Sequence, residues 1–142
     1  MTDIQEKKKL ILSDLSALGA TDDRYRYIID LGRKQPPLKE DSRQDKFLIQ
    51  GCMSQAWLIP EFKDGRLYFY VDSDAAIVKG IMALLISVYS GNLPAENLAL
   101  SPEFLKEGGV TEHLSMNRRN GLSSVVKQIM LYSAAFKALN PG

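Results

Sequence analysis

An Asp64-Gly65 pair stands between two aromatic and β-branched runs, Ala56-Trp57-Leu58-Ile59 to Phe62 and Leu67-Tyr68-Phe69-Tyr70-Val71. A pair of this kind takes up the positive backbone angles of a two-residue hairpin turn, so the two runs are predicted to pair antiparallel. An earlier run of the same character, Phe47-Leu48-Ile49, reads as a further strand, with Gly51 to Ser54 as the turn joining it to the next. That turn contains Cys52, the only cysteine of the chain.

On both sides of this strand region the apolar spacing becomes helical. Ile4, Ile11, Leu15 and Leu18 mark a first helix ended by Gly19. A second is capped by Thr21, with Asp22 and Asp23 in its first turn, and stops near Gly32 ahead of Pro36-Pro37. Residues 35 to 45, rich in proline and charge, read as a surface connection. After Val71, a helix carries Val78, Ile81, Met82, Leu85, Val88 and Tyr89 on one face, with Ser73 or Asp74 as its cap, and Gly91-Asn92 ends it. Short helical pieces follow, one opened by Ser101-Pro102-Glu103, with Gly108-Gly109 as a break. A long last helix carries Leu122, Val125, Val126, Ile129, Tyr132, Ser133 and Phe136. Helices, then a meander of strands, then helices again predict an α+β fold, a three-stranded antiparallel sheet with helices packed on one side.

The chain has 142 residues, 45% hydrophobic and 25% charged, which suits a single domain spanning 1–142 with a proper core. A formal charge of +1 gives no bulk electrostatic reason for binding nucleic acid or an anionic membrane. The Lys7-Lys8-Lys9 run is expected to be a solvated helix face. The start of the chain lacks the apolar stretch of a signal peptide, and the run around Ile81 to Ile86 is too short to span a bilayer, so a cytoplasmic protein is expected.

A solitary cysteine closes no intramolecular disulfide and falls short of the thiolates needed for an iron-sulfur cluster or a structural zinc site. Two readings of Cys52 stand: a buried inert thiol, or a nucleophile kept reduced in the cytosol. Gly51 beside it permits a tight turn and leaves the thiol's flank open, although glycine is also the default residue of a turn between strands. Ser54 and Gln55 are placed either to hydrogen-bond a thiolate or to satisfy turn amides. Asp72-Ser73-Asp74 has the form of a metal-binding pair of carboxylates, yet a helix cap explains it without a metal, and no metal site is assigned. Lys79-Gly80 lacks the glycine pattern of a nucleotide loop. His113, the only histidine, is weak evidence for a Cys-His pair. Arg118 and Arg119 lie close to the start of the last helix, where the helix dipole does not call for cations, and a partner-facing role stands beside simple surface charge.

Three blocks then carry a resemblance. Ile49-Gln50-Gly51-Cys52-Met53-Ser54-Gln55-Ala56-Trp57-Leu58, Asp72-Ser73-Asp74-Ala75-Ala76-Ile77-Val78-Lys79-Gly80, and His113-Leu114-Ser115 through Arg118 to Asn120-Gly121-Leu122 resemble the signature blocks of the SufE/CsdE family of sulfur acceptors. The resemblance implies a fold shared with the IscU-type scaffold. It also implies a carrier that takes sulfane sulfur from a cysteine desulfurase of SufS/CsdA type and passes it to an iron-sulfur scaffold. On this chain it makes Cys52 the persulfide-carrying residue, with Gly51, Ser54, Gln55, Asp74 and Arg118 as partner-binding or supporting residues. No cofactor is implied for the chain itself, since pyridoxal phosphate belongs to the desulfurase. The sequence departs from the family pattern at Phe47, where relatives commonly have Asn, and at Ser115-Met116-Asn117-Arg118-Arg119, where Ser-Pro-x-Arg-Ser is usual. Phe47 and Met53 are expected to give Cys52 apolar cover between encounters. The alternatives to a sulfur carrier are a cysteine-independent interaction module on the same fold and, third, a self-contained cysteine hydrolase.

Overall fold

The computed structural model describes residues 3–19, 21–38, 41, 43–49, 54–110, 114 and 116–139, with the backbone alone at 21 and 116–118. Six α-helices occur among them: α1 (Ile4–Ser16), α2 (Thr21–Arg33), α3 (Ala76–Tyr89), α4 (Pro94–Ala99), α5 (Phe104–Glu107) and α6 (Met116–Leu139). Two strands, β1 (Ala56–Lys63) and β2 (Arg66–Ser73), precede α3 and form an antiparallel sheet.

The hairpin is as predicted. Asp64 (φ 53°) and Gly65 (φ 80°) both occupy the left-handed region, and Lys63 pairs with Arg66 across them. This is the geometry whose twist matches that of the flanking strands, and it sets the register Leu58↔Val71, Pro60↔Phe69 and Phe62↔Leu67. Those pairs lie on the face turned to the helices, where Leu58, Leu67, Phe69 and Val71 are buried. Phe62 stacks on Phe136 of α6 at 5.3 Å, and Phe69 meets Tyr132 of the same helix at 6.3 Å.

The expected third strand is not formed among the described residues. Asp45–Phe47 is a 3-10 turn, closed by Phe47 N–H donating to the Gln44 carbonyl (2.9 Å) and Leu48 N–H to that of Asp45 (3.1 Å). Pairing then amounts to one bridge, Leu48↔Trp57, and one bond from Ile49 N–H to the Ala56 carbonyl (2.8 Å). The apolar run is real, but the local turn takes the backbone groups that a longer ladder would need. The opposite edge is closed in similar fashion by a bridge between Leu67 and Asn92. The turn expected over Gly51 to Ser54 lies outside the described residues except for Ser54.

The prediction of a one-sided α3 needs correction. Ile77, Ile81, Met82, Ala83, Leu84, Leu85, Ile86, Val88 and Tyr89 are buried nearly all round, as befits a helix enclosed by α1, α2, α6 and β2. Its contact with α2 requires glycine on both sides. A Cβ built on Gly32 would lie 2.7 Å from the Gly80 nitrogen, and one on Gly80 would overlap the Ile28 carbonyl. The helix stops at Arg33, next to Gly32 as expected, and Gly32 also serves this packing. Nor is the cap of α3 a side chain of Ser73 or Asp74: the N-cap is Ala75, whose N–H donates to the Ser73 hydroxyl at 3.2 Å. Thr21, read as a cap, is the first residue inside α2.

Lys7 also departs from expectation. It is half-buried, and its Nζ donates to the Ser90 carbonyl (2.9 Å) and to Asn92 Oδ1 (2.8 Å). Asn92 Nδ2 donates in turn to the Val88 carbonyl and to Asn97 Oδ1. Asn97 Nδ2 reaches Ser133, whose hydroxyl donates to the Ile129 carbonyl. Burial lowers the Lys7 pKa from its ordinary value, opposed by attraction to Glu96 and assisted by repulsion from Arg66.

Gly80→Ala should destabilise the protein by at least about 2 kcal/mol in urea unfolding, because the methyl meets backbone and not a yielding side-chain tip. Gly19→Ala, whose Cβ meets nothing within 4 Å, should stay within about 0.5 kcal/mol of the parent.

Candidate functional site

The ends of β1 and β2 opposite the hairpin converge where the sequence places its candidate residues. Ala56 pairs with Ser73, and Trp57 with Asp72. The Gln55 carbonyl accepts from the Ser73 hydroxyl (2.7 Å) and the Asp74 amide (3.2 Å), so the residue that re-enters the sheet is tied to the start of α3. Ser54 is half-buried beside it, and the side chains of Gln55 and Asp74 are exposed. Ser54, Gln55 and Asp74 are thus brought to one place. Gly51, Cys52, Met53 and His113 lie outside the described residues, as does the side chain of Arg118, whose backbone belongs to the first turn of α6.

Asp72 is the electrostatic centre of this end. Only 2% of its surface is exposed, and its two carboxylate oxygens accept four donors. Oδ2 takes the Leu38 amide (3.0 Å) and Arg43 Nη2 (2.6 Å); Oδ1 takes the Ser73 amide (2.8 Å) and Lys79 Nζ (3.3 Å). That fills the acceptor capacity of a carboxylate. Burial by itself pushes this carboxyl up. The Leu38 amide, Arg43, the Ser73 amide and Lys79 together outweigh it and hold the group below the ordinary value of 3.8.

Three of these partners were not singled out from the sequence. Leu38 and Arg43 fall in the connection read as plain surface, and Lys79 was weighed as part of a nucleotide loop and stands in a signature block without a role of its own. The one available signal was Asp72 itself, a carboxylate paired across the sheet with a tryptophan, where an unpaired charge would be costly. The Arg43 guanidinium also lies 5.2 Å from the centre of the Trp57 ring. Phe47 is half-buried under the Lys46 ammonium, 5.0 Å from its ring centre. Asp45 to Ile49 then border an open groove of about 380 Å³ against Ser124, Lys127, Gln128, Leu131 and Tyr132 of α6.

The sequence of residues 9–133 matches the SufE family, described as an Fe-S metabolism associated domain. The chain belongs to the SufE family. An uncharacterised SufE-like protein of Rhizobium meliloti is 37% identical over 124 residues, covering 84% of this chain and 89% of that protein. One of Rhizobium etli is 40% identical over 124 residues, 84% of each. A third, from Synechocystis, is 33% identical over 114 residues, covering 80% of this chain and 72% of the relative. The fold is shared with the solution structure of a hypothetical protein from Thermus thermophilus, with a TM-score of 0.76 at 20% identity over 91% of this chain and 94% of that one. SufE membership associates the chain with iron-sulfur metabolism. Among the described residues, no helix is long and apolar enough to cross a membrane.

The depressed Asp72 pKa has a defined linkage. A carboxyl whose native pKa lies below its unfolded value adds stability that is complete above the unfolded value and is lost as pH falls through the native one. Asp72→Asn should therefore cost about 1–3 kcal/mol at pH 7, at the modest end for a buried pair because water reaches Arg43, and the gap to the parent should hold down to about pH 4.5. Below about pH 4 the gap should narrow, as read from urea midpoints across the acid range.

Proposed function

We propose that this SufE-family chain is a sulfur acceptor and activator of a cysteine desulfurase of SufS/CsdA type, with Cys52 as the acceptor. The observation that carries the reading is where the chain keeps its only cysteine. The segment that contains Cys52 runs from Ile49 to Ala56, and a backbone hydrogen bond of 2.8 Å between these two residues ties its flanks together at the end of the sheet. Reactive groups are commonly presented in this way, on a connecting segment held by regular structure.

In this scheme the Cys52 thiolate attacks the terminal sulfur of the persulfide on the desulfurase cysteine. A new sulfur-sulfur bond forms to Cys52 as the old one breaks, and the desulfurase sulfur leaves with the electron pair as a thiolate. Protonation restores the desulfurase thiol, and no external oxidant or reductant enters. The exchange follows the rules of thiol-disulfide chemistry, in which thiolate fraction, access and the leaving thiol govern rate. The carrier then hands its outer sulfur to an iron-sulfur scaffold. Pyridoxal phosphate stays on the desulfurase, and the carrier needs no cofactor of its own. A cytoplasmic setting, where thiols stay reduced, belongs to the same reading. Gly51, Ser54, Gln55, Asp74 and Arg118 are assigned to partner contact or support of the turn, and Phe47 with Met53 to covering the persulfide.

Incubation with a desulfurase and free cysteine, followed by intact mass measurement, should show a gain of about one sulfur that reductant removes. Cys52→Ser should show none and should fail to stimulate the desulfurase. An unchanged mass in the parent protein, with stimulation retained in Cys52→Ser, would instead identify a cysteine-independent module.

A further inference from the structure

Among the described residues, the run that leads into the Cys52 segment is held by one bridge at Leu48 and one hydrogen bond at Ile49. A single bridge is a weak determinant of register, and a slip by one residue at Leu48-Ile49 would exchange which of these two side chains faces the core. Something else must fix it. Arg43 stands at the head of this run, before the 3-10 turn of Asp45–Phe47. Its guanidinium is bonded to the buried Asp72 carboxylate at 2.6 Å and lies over the Trp57 ring. Trp57 is also the residue whose backbone meets Leu48. One residue of β1 is therefore gripped twice, by its ring under Arg43 and by its backbone against Leu48, and Asp72, its cross-strand partner, supplies the counter-charge.

We infer that Arg43, anchored on Asp72 and Trp57, is a positioning residue that sets the register of Leu48 and Ile49 against β1, and that this flank governs how readily the chain serves the desulfurase through Cys52. The role in transfer rests on the sulfur-acceptor reading; the setting of register does not. Arginine suits the task because its planar fork holds a carboxylate and stacks on an aromatic ring at once, whereas lysine offers only a point charge. With 37% of its side chain in water, Arg43 can be replaced without leaving a second charge stranded in the core.

The test compares the full-length parent with Arg43→Ala and Arg43→Lys. Amide hydrogen exchange is followed at Ile49, which reports the anchored edge, and at Leu67, whose N–H is bonded to the Asn92 carbonyl on the opposite edge. In Arg43→Ala, protection at Ile49 should fall by about tenfold or more while Leu67 keeps its own, a local opening and not a general loss of stability. The concentration of carrier that half-saturates desulfurase stimulation should rise about five- to tenfold at an unchanged plateau, because the competent register becomes a minor fraction of the free protein. Arg43→Lys should recover part of both effects. Unchanged protection at Ile49, or an equal fall at both amides, overturns the anchor. Selective opening at Ile49 with an unaltered half-saturation overturns the positioning role and leaves the acceptor reading intact. A parent protein that takes up no sulfur overturns the acceptor reading, and with it the role in transfer, while the exchange at Ile49 still decides the register.

Discussion

The close approach of α2 and α3 at Gly32 and Gly80 is the constraint around which the molecule is arranged. With backbone against backbone at the crossing, α3 sits deep enough for almost every side to be covered, and a helix covered on all sides must be apolar on all sides. A two-stranded hairpin is marginal in water by itself, so the sheet depends on the same helix layer. Leu67, Phe69 and Val71 are buried on its helix-facing side, and α6 closes over them with Tyr132 and Phe136. Packing at this pair of glycines sets how closely α3 approaches α2, and β2, which ends at Ser73 just ahead of α3, carries Asp72 beside the start of that helix.

Fixing α3 in this way leaves its two ends to be satisfied by other parts of the chain. The first turn of α3 offers Lys79 to Asp72, which also draws in Leu38 and Arg43 from the preceding connection. The last turn has no basic residue of its own, and Lys7 of α1 provides a cation to the Ser90 carbonyl at the negative end of the helix dipole. From Lys7 the hydrogen bonds continue through Asn92 and Asn97 to Ser133, linking α1, the end of α3, α4 and α6. Both ends are polar junctions where separate stretches of sequence meet.

What could be read in the sequence follows from this division. The Asp64-Gly65 hairpin was legible because its backbone angles are a local property of those two residues, and the α6 stripe because period alone defines a one-sided helix. The order of helices and strands, and hence the α+β class, follows from the same signals. The sequence could not show that Phe47-Leu48-Ile49 would spend its backbone groups on a 3-10 turn, since a short apolar run fits either outcome. Gly32 was legible as a stop signal but not as a packing contact, because the glycine it opposes, Gly80, is distant in the chain and known only once the helices cross. Ser54, Gln55 and Asp74 were named as candidates through the family resemblance, and the sheet end brings them to one place. Arg43 and Leu38 were missed because a surface-like connection gives no sign of a buried carboxylate waiting across the sheet. Lys7, in a run that reads as a solvated face, was misjudged for the same reason.

The two junctions differ in how fully they are buried. At the far end Asn92, Asn97 and Ser133 are buried, and every step leads to another protein group, so opening it would expose several unsatisfied donors and acceptors at once. At the site end the anion is buried, but its nearest cation, Arg43, is partly in water. Water can take over the guanidinium when the pair separates, and salt screens what remains, so this junction opens at lower cost. Leu38 and Ser73 amides and Lys79 would still hold the carboxylate while Arg43 moved away. The fold thus closes one end of α3 with a network of buried groups and the other with a buried carboxylate whose nearest cation is partly in water.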